Sequence, residues 1–178
     1  MKDIVKFGLI LMLFSGLAAA SLALTYTLCK PMIDADQLKE TRDSLARILP
    51  AAATFSESKR SIEGNEVNCF TGRSNNKTVG VVVTVSSKGY GGPIDMLVGV
   101  GVNGKVTGIK IVKLNETPGL GSKANDDRYL SQYIGKTWGR KYVVKKDIQA
   151  ISGATITSGA VADGVSDALR FAKAILGK

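Results

Sequence analysis

A short segment near the C-terminal end of the chain is rich in small residues and in residues that bear a hydroxyl. The segment consists of Ser152, Gly153, Ala154, Thr155, Ile156, Thr157 and Ser158. It precedes a stretch of helical periodicity, and the backbone N–H groups at a helix start bind phosphate with the help of the helix dipole. The pattern is also that of a helix-capping loop, so it leaves both a phosphate site and a purely structural role open.

Two further segments combine glycines with a residue that could contact a ligand. One is residues 116–121, which read Glu-Thr-Pro-Gly-Leu-Gly, and the other is residues 89–93, which read Gly-Tyr-Gly-Gly-Pro. Taken separately, each has the composition of a turn between two elements. The first contains no partner for acid–base catalysis, so we assign it to holding a ligand rather than to performing chemistry.

The residue types that the chain lacks exclude several classes of site. There is no histidine, which excludes histidine general-base catalysis, His-ligated haem and most zinc sites. The two cysteines, Cys29 and Cys69, cannot hold a four-cysteine iron–sulfur cluster within this chain. Any redox chemistry must therefore come from an organic cofactor.

The net charge of +9 suits an anionic partner, and a basic surface that is simply solvated is the alternative. Nucleic acid is disfavoured, because the positive charges are scattered and only 6% of residues are aromatic. Anionic membrane lipid or an acidic protein partner suits a basic domain beside a membrane. We therefore expect contact with lipid and with protein, and no nucleic acid.

An uncharged run over residues 7–28 predicts a transmembrane helix. At about 1.5 Å per residue, 22 residues can span a hydrocarbon core of about 30 Å. A cleaved signal peptide is the alternative, since Lys2 and Lys6 precede the run and residues 18–20 resemble a cleavage site. The run is longer than a usual signal core, which favours an anchor. Because the segment before it is short, we expect the N-terminus to stay in the cytoplasm and residues 31–178 to lie outside.

The remaining elements must position the three glycine-containing segments. Pro31 is expected to stop the membrane helix, and Asp34 or Asp36 to cap a second helix that runs to Leu49. Residues 51–78 read as loops around a short strand near Cys69. Strands are predicted at residues 79–85, 94–102, 106–114 and 141–144.

One turn and two helices are predicted from more specific signals. Asn103-Gly104 predicts a hairpin with a type I′ turn, in which both central residues have positive φ. Residues 124–134 predict a short helix. The last helix is predicted from an apolar face with helical spacing, capped by Thr157 or Ser158. Its apolar positions are Val161, Val165, Leu169, Ala172 and Leu176. The fold class expected from this order is α+β, a mainly antiparallel sheet packed with helices.

The three glycine-containing segments together resemble the FMN-binding domain shared by the G subunit of the Rnf complex and the C subunit of the sodium-pumping NADH:quinone reductase. The resemblance extends from the apolar run to residue 176. Residues 152–155 match the flavinylation motif of that family, whose final threonine bears FMN, and residues 156–158 match its extended form. One position departs from the pattern: where the family often has an aspartate three residues before the motif serine, this chain has Gln149, with Asp147 two residues earlier.

The resemblance implies a cofactor and a set of residues that hold it. Thr155 would carry FMN through a phosphoester, attached from FAD by a separate flavin transferase. The other implied contacts are Ser152, Gly153, Ala154, Ile156, Thr157, Glu116, Thr117, Pro118, Gly119, Leu120 and Tyr90. The implied division of the chain is an anchor at residues 1–30, a linker helix at 31–50 and an FMN-binding domain at 51–178.

The function implied by the resemblance is electron relay within a membrane complex. That complex passes electrons between ferredoxin and NAD⁺ and moves Na⁺ or H⁺ across the membrane, and its other subunits are integral membrane, iron–sulfur and flavin proteins. The C subunit of the quinone reductase remains the nearer alternative. A non-redox extracytoplasmic binding module is the alternative of a different class.

Overall fold

The computed structural model describes the backbone of residues 2–177 and the side chains of residues 4–30 and 41–177. The chain divides into two units, residues 1–42 and residues 43–178. The predicted helix caps Asp34 and Asp36 lie outside the residues whose side chains are described.

One long helix, α1, begins in the first unit and runs Lys2–Ile48. Within it, Ile4–Lys30 is long and apolar enough to cross a membrane, with a mean hydropathy of 2.2. The predicted helix end at Pro31 is wrong, because α1 continues through that residue. Proline removes one backbone hydrogen bond from a helix, and the helical segments on both sides of Pro31 are long enough to keep their own bonds.

The second unit is built on a five-stranded sheet whose neighbouring strands are all antiparallel. The strands follow one another in chain order across the sheet. They are β1 Thr54–Ile62, β2 Asn65–Ser74, β3 Lys77–Lys88, β4 Pro93–Gly101 and β5 Val106–Leu114. The expected antiparallel sheet packed with helices is confirmed, and so are the strands expected around Cys69 and at residues 79–85, 94–102 and 106–114.

The first strand was missed because its sequence has no apolar alternation. β1 is an edge strand in which six of nine residues are exposed, and its exposed side chains include Glu57, Lys59 and Arg60. Charged side chains on an edge strand oppose pairing with other chains, but they also remove the signal that marks a strand. Residues 51–78 therefore form two strands with short turns rather than loops around one strand.

Type I′ geometry occurs at two turns where it was not expected. Both central residues have positive φ at Glu63-Gly64 (52° and 80°) and at Asn75-Asn76 (50° and 62°). At Asn103-Gly104 the hairpin is confirmed but the turn type is wrong, since only Gly104 has positive φ, at 75°. Gly104 N donates to Gly101 O at 2.9 Å, so the link is a three-residue loop ending in a glycine bulge.

The region between β5 and the last helix contains short helical turns instead of one helix and one strand. Residues 124–134 were predicted as a single helix, and they fall in a 3₁₀ turn at Gly121–Asn125, α2 at Asp127–Leu130 and a second 3₁₀ turn at Ser131–Tyr133. The strand predicted at residues 141–144 is wrong, because residues 141–143 have no regular structure and Val144 forms only an isolated bridge with Ile148, across a turn at 145–147. Asp147 accepts a hydrogen bond from Val143 N at 3.0 Å and pairs with Arg140, which folds the segment back on itself.

The last helix, α3, runs Thr155–Leu176 and covers one face of the sheet. Its predicted apolar face is confirmed. Val161, Val165, Leu169 and Ala172 are buried and Leu176 is partly buried, in one core with strand residues such as Val83 and Met96. Burying large apolar side chains contributes about 1.5–3 kcal/mol each, so this face supplies much of the stability of the second unit.

The opposite face of the sheet is covered by the C-terminal end of α1. Leu45, Ile48 and Leu49 form a second core with β3 and β4. Ile48 lies so close to the sheet that a Cβ on Gly99 would be 2.5 Å from its Cγ2 atom. Thr107 Oγ1 also donates to Ile48 O at 2.7 Å, which fixes the end of the helix on β5.

Candidate functional site

Thr155 is the first residue of α3, and the residue before it cannot cap the helix. Ala154 occupies the N-cap position and has no side-chain hydrogen bond to the helix. The predicted caps Thr157 and Ser158 are wrong, because α3 starts before them and both are buried within its first turn. The first backbone N–H groups of an α-helix have no partner within the helix, so α3 presents donors beside the exposed Thr155 side chain.

Residues 116–121 form a self-supporting loop after β5. Thr117 O accepts hydrogen bonds from Leu120 N at 3.2 Å and Ser122 N at 3.3 Å. Gly119 N donates to Ser122 Oγ at 2.9 Å, and Gly119 has a φ of 78°, a left-handed conformation that favours glycine. The shape of this loop is thus set by hydrogen bonds within residues 117–122.

Glu116 joins this loop to the tyrosine–glycine segment. Its Oε1 atom accepts hydrogen bonds from Tyr90 N at 2.8 Å and Gly91 N at 3.4 Å. Hydrogen bonds to an ionised carboxylate are stronger than neutral ones. A residue 26 positions away in the chain is thereby held beside the loop.

Gly121 brings the same loop against the first turn of α3. A Cβ at this position would be 2.7 Å from Glu116 Oε2 and 3.0 Å from Thr157 Oγ1, so a larger residue does not fit without a shift. Sequence reasoning placed Gly121 in the loop but not among the contact residues. The second glycine of the Pro-Gly-Leu-Gly run was the signal for it.

The three segments meet around one cleft of about 580 Å³, a volume typical of small-molecule sites. Its walls come from all three segments. They are Tyr90, Glu116, Thr117, Leu120, Gly121, Gly153, Ala154, Thr155, Ile156 and Thr157. Of the other residues predicted to contact a cofactor, Ser152, Pro118 and Gly119 do not line the cleft and lie in the loops that form it.

The mouth of the cleft is apolar and open to solvent. Tyr90, Leu120 and Ile156 are 72%, 44% and 59% exposed, which is unusual for large apolar or aromatic side chains placed together. An aromatic or apolar ligand would cover this surface and gain the free energy of its burial. The cleft therefore combines a site for an apolar ring system with backbone donors for an anion.

Two buried tyrosines lie behind the first turn of α3. The ring centroids of Tyr129 and Tyr133 are 5.9 Å apart in an edge-to-face arrangement, and their hydroxyls are 3.1 Å apart. Burial raises the pKa of both phenols above the ordinary value of 10.0. Both hydroxyls therefore stay protonated at neutral pH and can donate hydrogen bonds.

A second groove, of about 620 Å³, lies between residues 139–141 and α3. Each of its two carboxylates forms an ion pair with a cationic side chain of the lining. Lys141 Nζ is 2.9 Å from Asp163 Oδ1, and Arg170 contacts Asp167 at 3.0 Å. The lining contains four cationic side chains and only these two carboxylates, so the groove keeps an excess of positive charge.

Comparison with known proteins identifies the matched domain and several relatives. The FMN-binding domain family matches residues 89–170, a span that contains every residue lining the cleft of about 580 Å³. The chain is 37% identical to the G subunit of the Na⁺-translocating ferredoxin:NAD⁺ oxidoreductase complex of Acetobacterium woodii, over 93% of this chain and 89% of that protein. It is also 37% identical to the G subunit of the proton-translocating ferredoxin:NAD⁺ oxidoreductase complex of Clostridium ljungdahlii, over 83% of this chain and 80% of that protein.

A solved structure shares the fold. The crystal structure of the C subunit of the Na⁺-translocating NADH-quinone reductase from Parabacteroides distasonis superposes with a TM-score of 0.52 and 21% identity. The match covers 64% of this chain and 64% of that one, which is less than two thirds of the solved chain. At this identity the likeness is evidence for the fold alone.

Proposed function

Because the chain belongs to the G-subunit family of ion-translocating oxidoreductase complexes, we propose that it relays electrons through an FMN esterified to Thr155. The observation that supports this most directly is the exposed Thr155 at the uncapped start of α3, on the wall of the cleft. FMN, when bound, accepts and passes on one or two electrons. The chain's own residues bind it, orient it and keep it from being lost.

The cleft fits an FMN in both of its chemical parts. The backbone donors at the start of α3 suit the phosphate, which keeps a negative charge after esterification. Leu120, Ile156 and Tyr90 suit the flavin ring, since they offer apolar and aromatic surface at the mouth. Glu116 holds the Tyr90 segment in place, so that this surface is preformed.

In this proposal attachment needs FAD and a separate transferase, because the described residues that line the cleft give Thr155 no free base. The one carboxylate among the residues that line the cleft is Glu116, whose Oε1 is already engaged by Tyr90 N and Gly91 N. In the proposed step the Thr155 oxygen attacks the phosphorus on the FMN side of the FAD pyrophosphate. The new P–O bond forms as the bond to the AMP oxygen breaks, and AMP leaves while the threonine proton passes to the transferase or solvent.

We further propose that the partners are the other subunits of a ferredoxin:NAD⁺ oxidoreductase complex that moves Na⁺ or H⁺ across a membrane. The names of the Acetobacterium and Clostridium relatives support this reading. The chain would carry one flavin of an electron-transfer route that also runs through integral membrane, iron–sulfur and flavin subunits. It should not catalyse the oxidoreductase reaction alone. Ile4–Lys30 would place it at the cell membrane, with the domain on the extracytoplasmic side.

The covalent flavin is tested on the full-length chain, co-produced with a flavin transferase and purified from membranes. The denatured protein should fluoresce as flavin on a gel, and its intact mass should increase by one FMN less one water. An unmodified mass would contradict the proposal and favour the non-redox binding module.

The attachment residue is tested by two matched threonine variants. Thr155→Val should abolish labelling, because it removes the exposed hydroxyl at the start of α3. Thr157→Val should keep it, because Thr157 is 1% exposed and its hydroxyl is not presented to a transferase. Labelling that disappears with Thr157→Val and survives Thr155→Val would show that the wrong hydroxyl was chosen.

A further inference from the structure

The loop that presents Thr155 is held from behind by one buried hydroxyl. Ser158 is 0% exposed, and its Oγ atom accepts a hydrogen bond from Ile151 N at 2.9 Å while donating to Ala154 O at 2.9 Å. Ala154 O also accepts from Ser158 N at 3.0 Å, and Ala154 N donates to Ile151 O at 3.0 Å. A single side chain therefore closes residues 151–154 against the first turn of α3.

The two buried tyrosines extend this network into the core. Tyr129 donates from its hydroxyl to Ser158 O at 3.4 Å, and Tyr133 lies 3.1 Å from the Tyr129 hydroxyl. In this arrangement Tyr133 donates to Tyr129, which in turn donates to Ser158. The position of Ser158 is thus tied to α2 and to the 3₁₀ turn that follows it.

The same hydrogen-bond geometry recurs two turns further along α3, away from the cleft. Ser166 Oγ donates to Ala162 O at 2.7 Å and accepts from Tyr142 N at 3.2 Å. Each serine thus joins an incoming loop to the helix by the same pair of bonds. Of these two serines, Ser158 is the one whose loop leads to Thr155. A Ser166 variant therefore shows what the loss of the same pair of bonds does when the loop is not the one that carries Thr155.

We propose that Ser158 is a positioning residue for flavin attachment, with Tyr129 supporting it. The buried hydroxyl fixes residues 151–154, and this holds the Thr155 hydroxyl in the orientation that the transferase requires. A reacting group that is held in place avoids the entropy cost of being oriented in the transition state. The inference rests on the proposed attachment of FMN at Thr155 and assigns a role that Ser158 plays before any flavin is present.

The test uses the full-length chain in detergent with a purified flavin transferase and FAD. The initial labelling rate is measured by intact mass for wild type, Ser158→Ala and Ser166→Ala, and thermal unfolding confirms that each variant is folded. Amide hydrogen exchange of the unlabelled proteins is measured at Ile151 and Tyr142. These two amides report the two serine bonds directly and need no loaded cofactor.

We expect Ser158→Ala, which loses both hydrogen bonds of the hydroxyl, to be labelled about tenfold more slowly, a fold-change that corresponds to about 1.4 kcal/mol. Its Ile151 amide should exchange faster, while the Tyr142 amide stays protected. Ser166→Ala should be labelled within about twofold of wild type, although its Tyr142 amide exchanges faster. Equal labelling of the two variants would overturn the inference and leave the flavin at Thr155 standing.

If Ser158→Ala does not fold, the tyrosines decide the question. Tyr129→Phe removes the donor to Ser158 O together with the partner of the Tyr133 hydroxyl, whereas Tyr142→Phe removes a hydroxyl that bonds to Thr137 instead. Labelling should slow in Tyr129→Phe and not in Tyr142→Phe, and an equal rate in both would overturn the inference. A wild-type chain that takes no label at all would instead overturn the proposed function itself.

Discussion

At the scale of single residues, two glycines in one loop serve the cleft for different physical reasons. Gly119 has a left-handed backbone, and a Cβ placed on it would have no atom within 4 Å. Gly121 has no positive φ, but its Cβ would collide with Glu116 and approach Thr157. Substitution at Gly119 therefore strains the backbone alone, whereas substitution at Gly121 displaces walls of the cleft.

This difference predicts unequal effects of the two alanine variants. Gly119→Ala should cost about 1 kcal/mol of stability and leave the cleft intact. Gly121→Ala should shift Glu116 and release the Tyr90 segment, which alters the surroundings of the flavin ring. The measurements are the absorption spectrum and midpoint potential of the labelled protein.

Both variants should still accept the flavin, because neither residue touches the Thr155 hydroxyl. A Gly121→Ala protein whose spectrum and potential equal those of Gly119→Ala would remove residues 116–121 from the flavin site. The loop would then be a candidate for docking a neighbouring protein of the complex, and failure of complex assembly in either variant would support that role.

At the scale of elements, the end of α1 packs closely on the sheet at a glycine, where no side chain keeps the helix away. Gly99 leaves room for Ile48, since its Cβ would be 2.5 Å from Ile48 Cγ2 and 2.8 Å from Ile48 O. Backbone atoms cannot move as cheaply as the end of a flexible side chain. The attachment of this helix to the sheet therefore depends on the absence of one methyl group.

Gly99→Ala is expected to destabilise the second unit by about 1–3 kcal/mol, the usual cost of overpacking. Gly159→Ala is the control, because Gly159 is helical and a Cβ there meets nothing within 4 Å. That variant should be neutral or more stable by up to about 1 kcal/mol. Thermal unfolding of the full-length chain in detergent measures both, and equal melting temperatures would contradict the fitted contact.

The turn at residues 140–148 gives a prediction about pH. The hydrogen bond from Val143 N, followed by the charge of Arg140, lowers the pKa of Asp147 from its ordinary value of 3.8. A carboxyl whose pKa is lowered by folding contributes stability above its unfolded pKa and loses it as the pH falls through the folded value. Asp147→Asn should therefore be less stable than wild type near neutral pH.

The stability difference between wild type and Asp147→Asn should shrink as the pH falls below about 4. Arg140→Gln removes the charge but keeps the bond from Val143 N, so its effect should be smaller. Unfolding midpoints measured from about pH 7 to about pH 3 compare the three proteins. A difference that does not change with pH would show that Asp147 acts without its charge.

At the scale of the whole molecule, hydropathy divides the chain into an apolar helix and a charged domain. Ile4–Lys30 meets the requirements of a membrane-spanning helix by length and composition, while the charged residues of the domain are mostly exposed. A short N-terminus that stays in the cytoplasm would place the domain on the outer side. The charges flanking the helix are mixed, so the orientation is a prediction to be measured.

External protease applied to intact cells, with the wall removed, should cleave after residue 31. The chain should require detergent for extraction and should keep its N-terminal residues. Complete protection of the domain would invert the orientation. An N-terminus that begins near Ser21 would indicate a cleaved signal peptide instead.

The sequence by itself determined the features that depend on local composition. The apolar run, the β-branched strands of the sheet interior and the apolar face of α3 each follow from side chains close together in the chain. The resemblance of residues 152–155 to a flavinylation motif is local in the same sense, and it led to the family. These signals are strong because every residue in the segment contributes to the same pattern.

Only the tertiary structure decided the features that depend on distant residues. β1 lacks an apolar pattern and is a strand because β2 pairs with it, while the chain turns at residues 145–147 because Asp147 reaches back to Val143 N. Glu116 meets Tyr90, and Gly121 meets Thr157, across 26 and 36 positions of chain. Such contacts are set by how α3 and the loops pack on the sheet, and no short stretch of sequence carries that information.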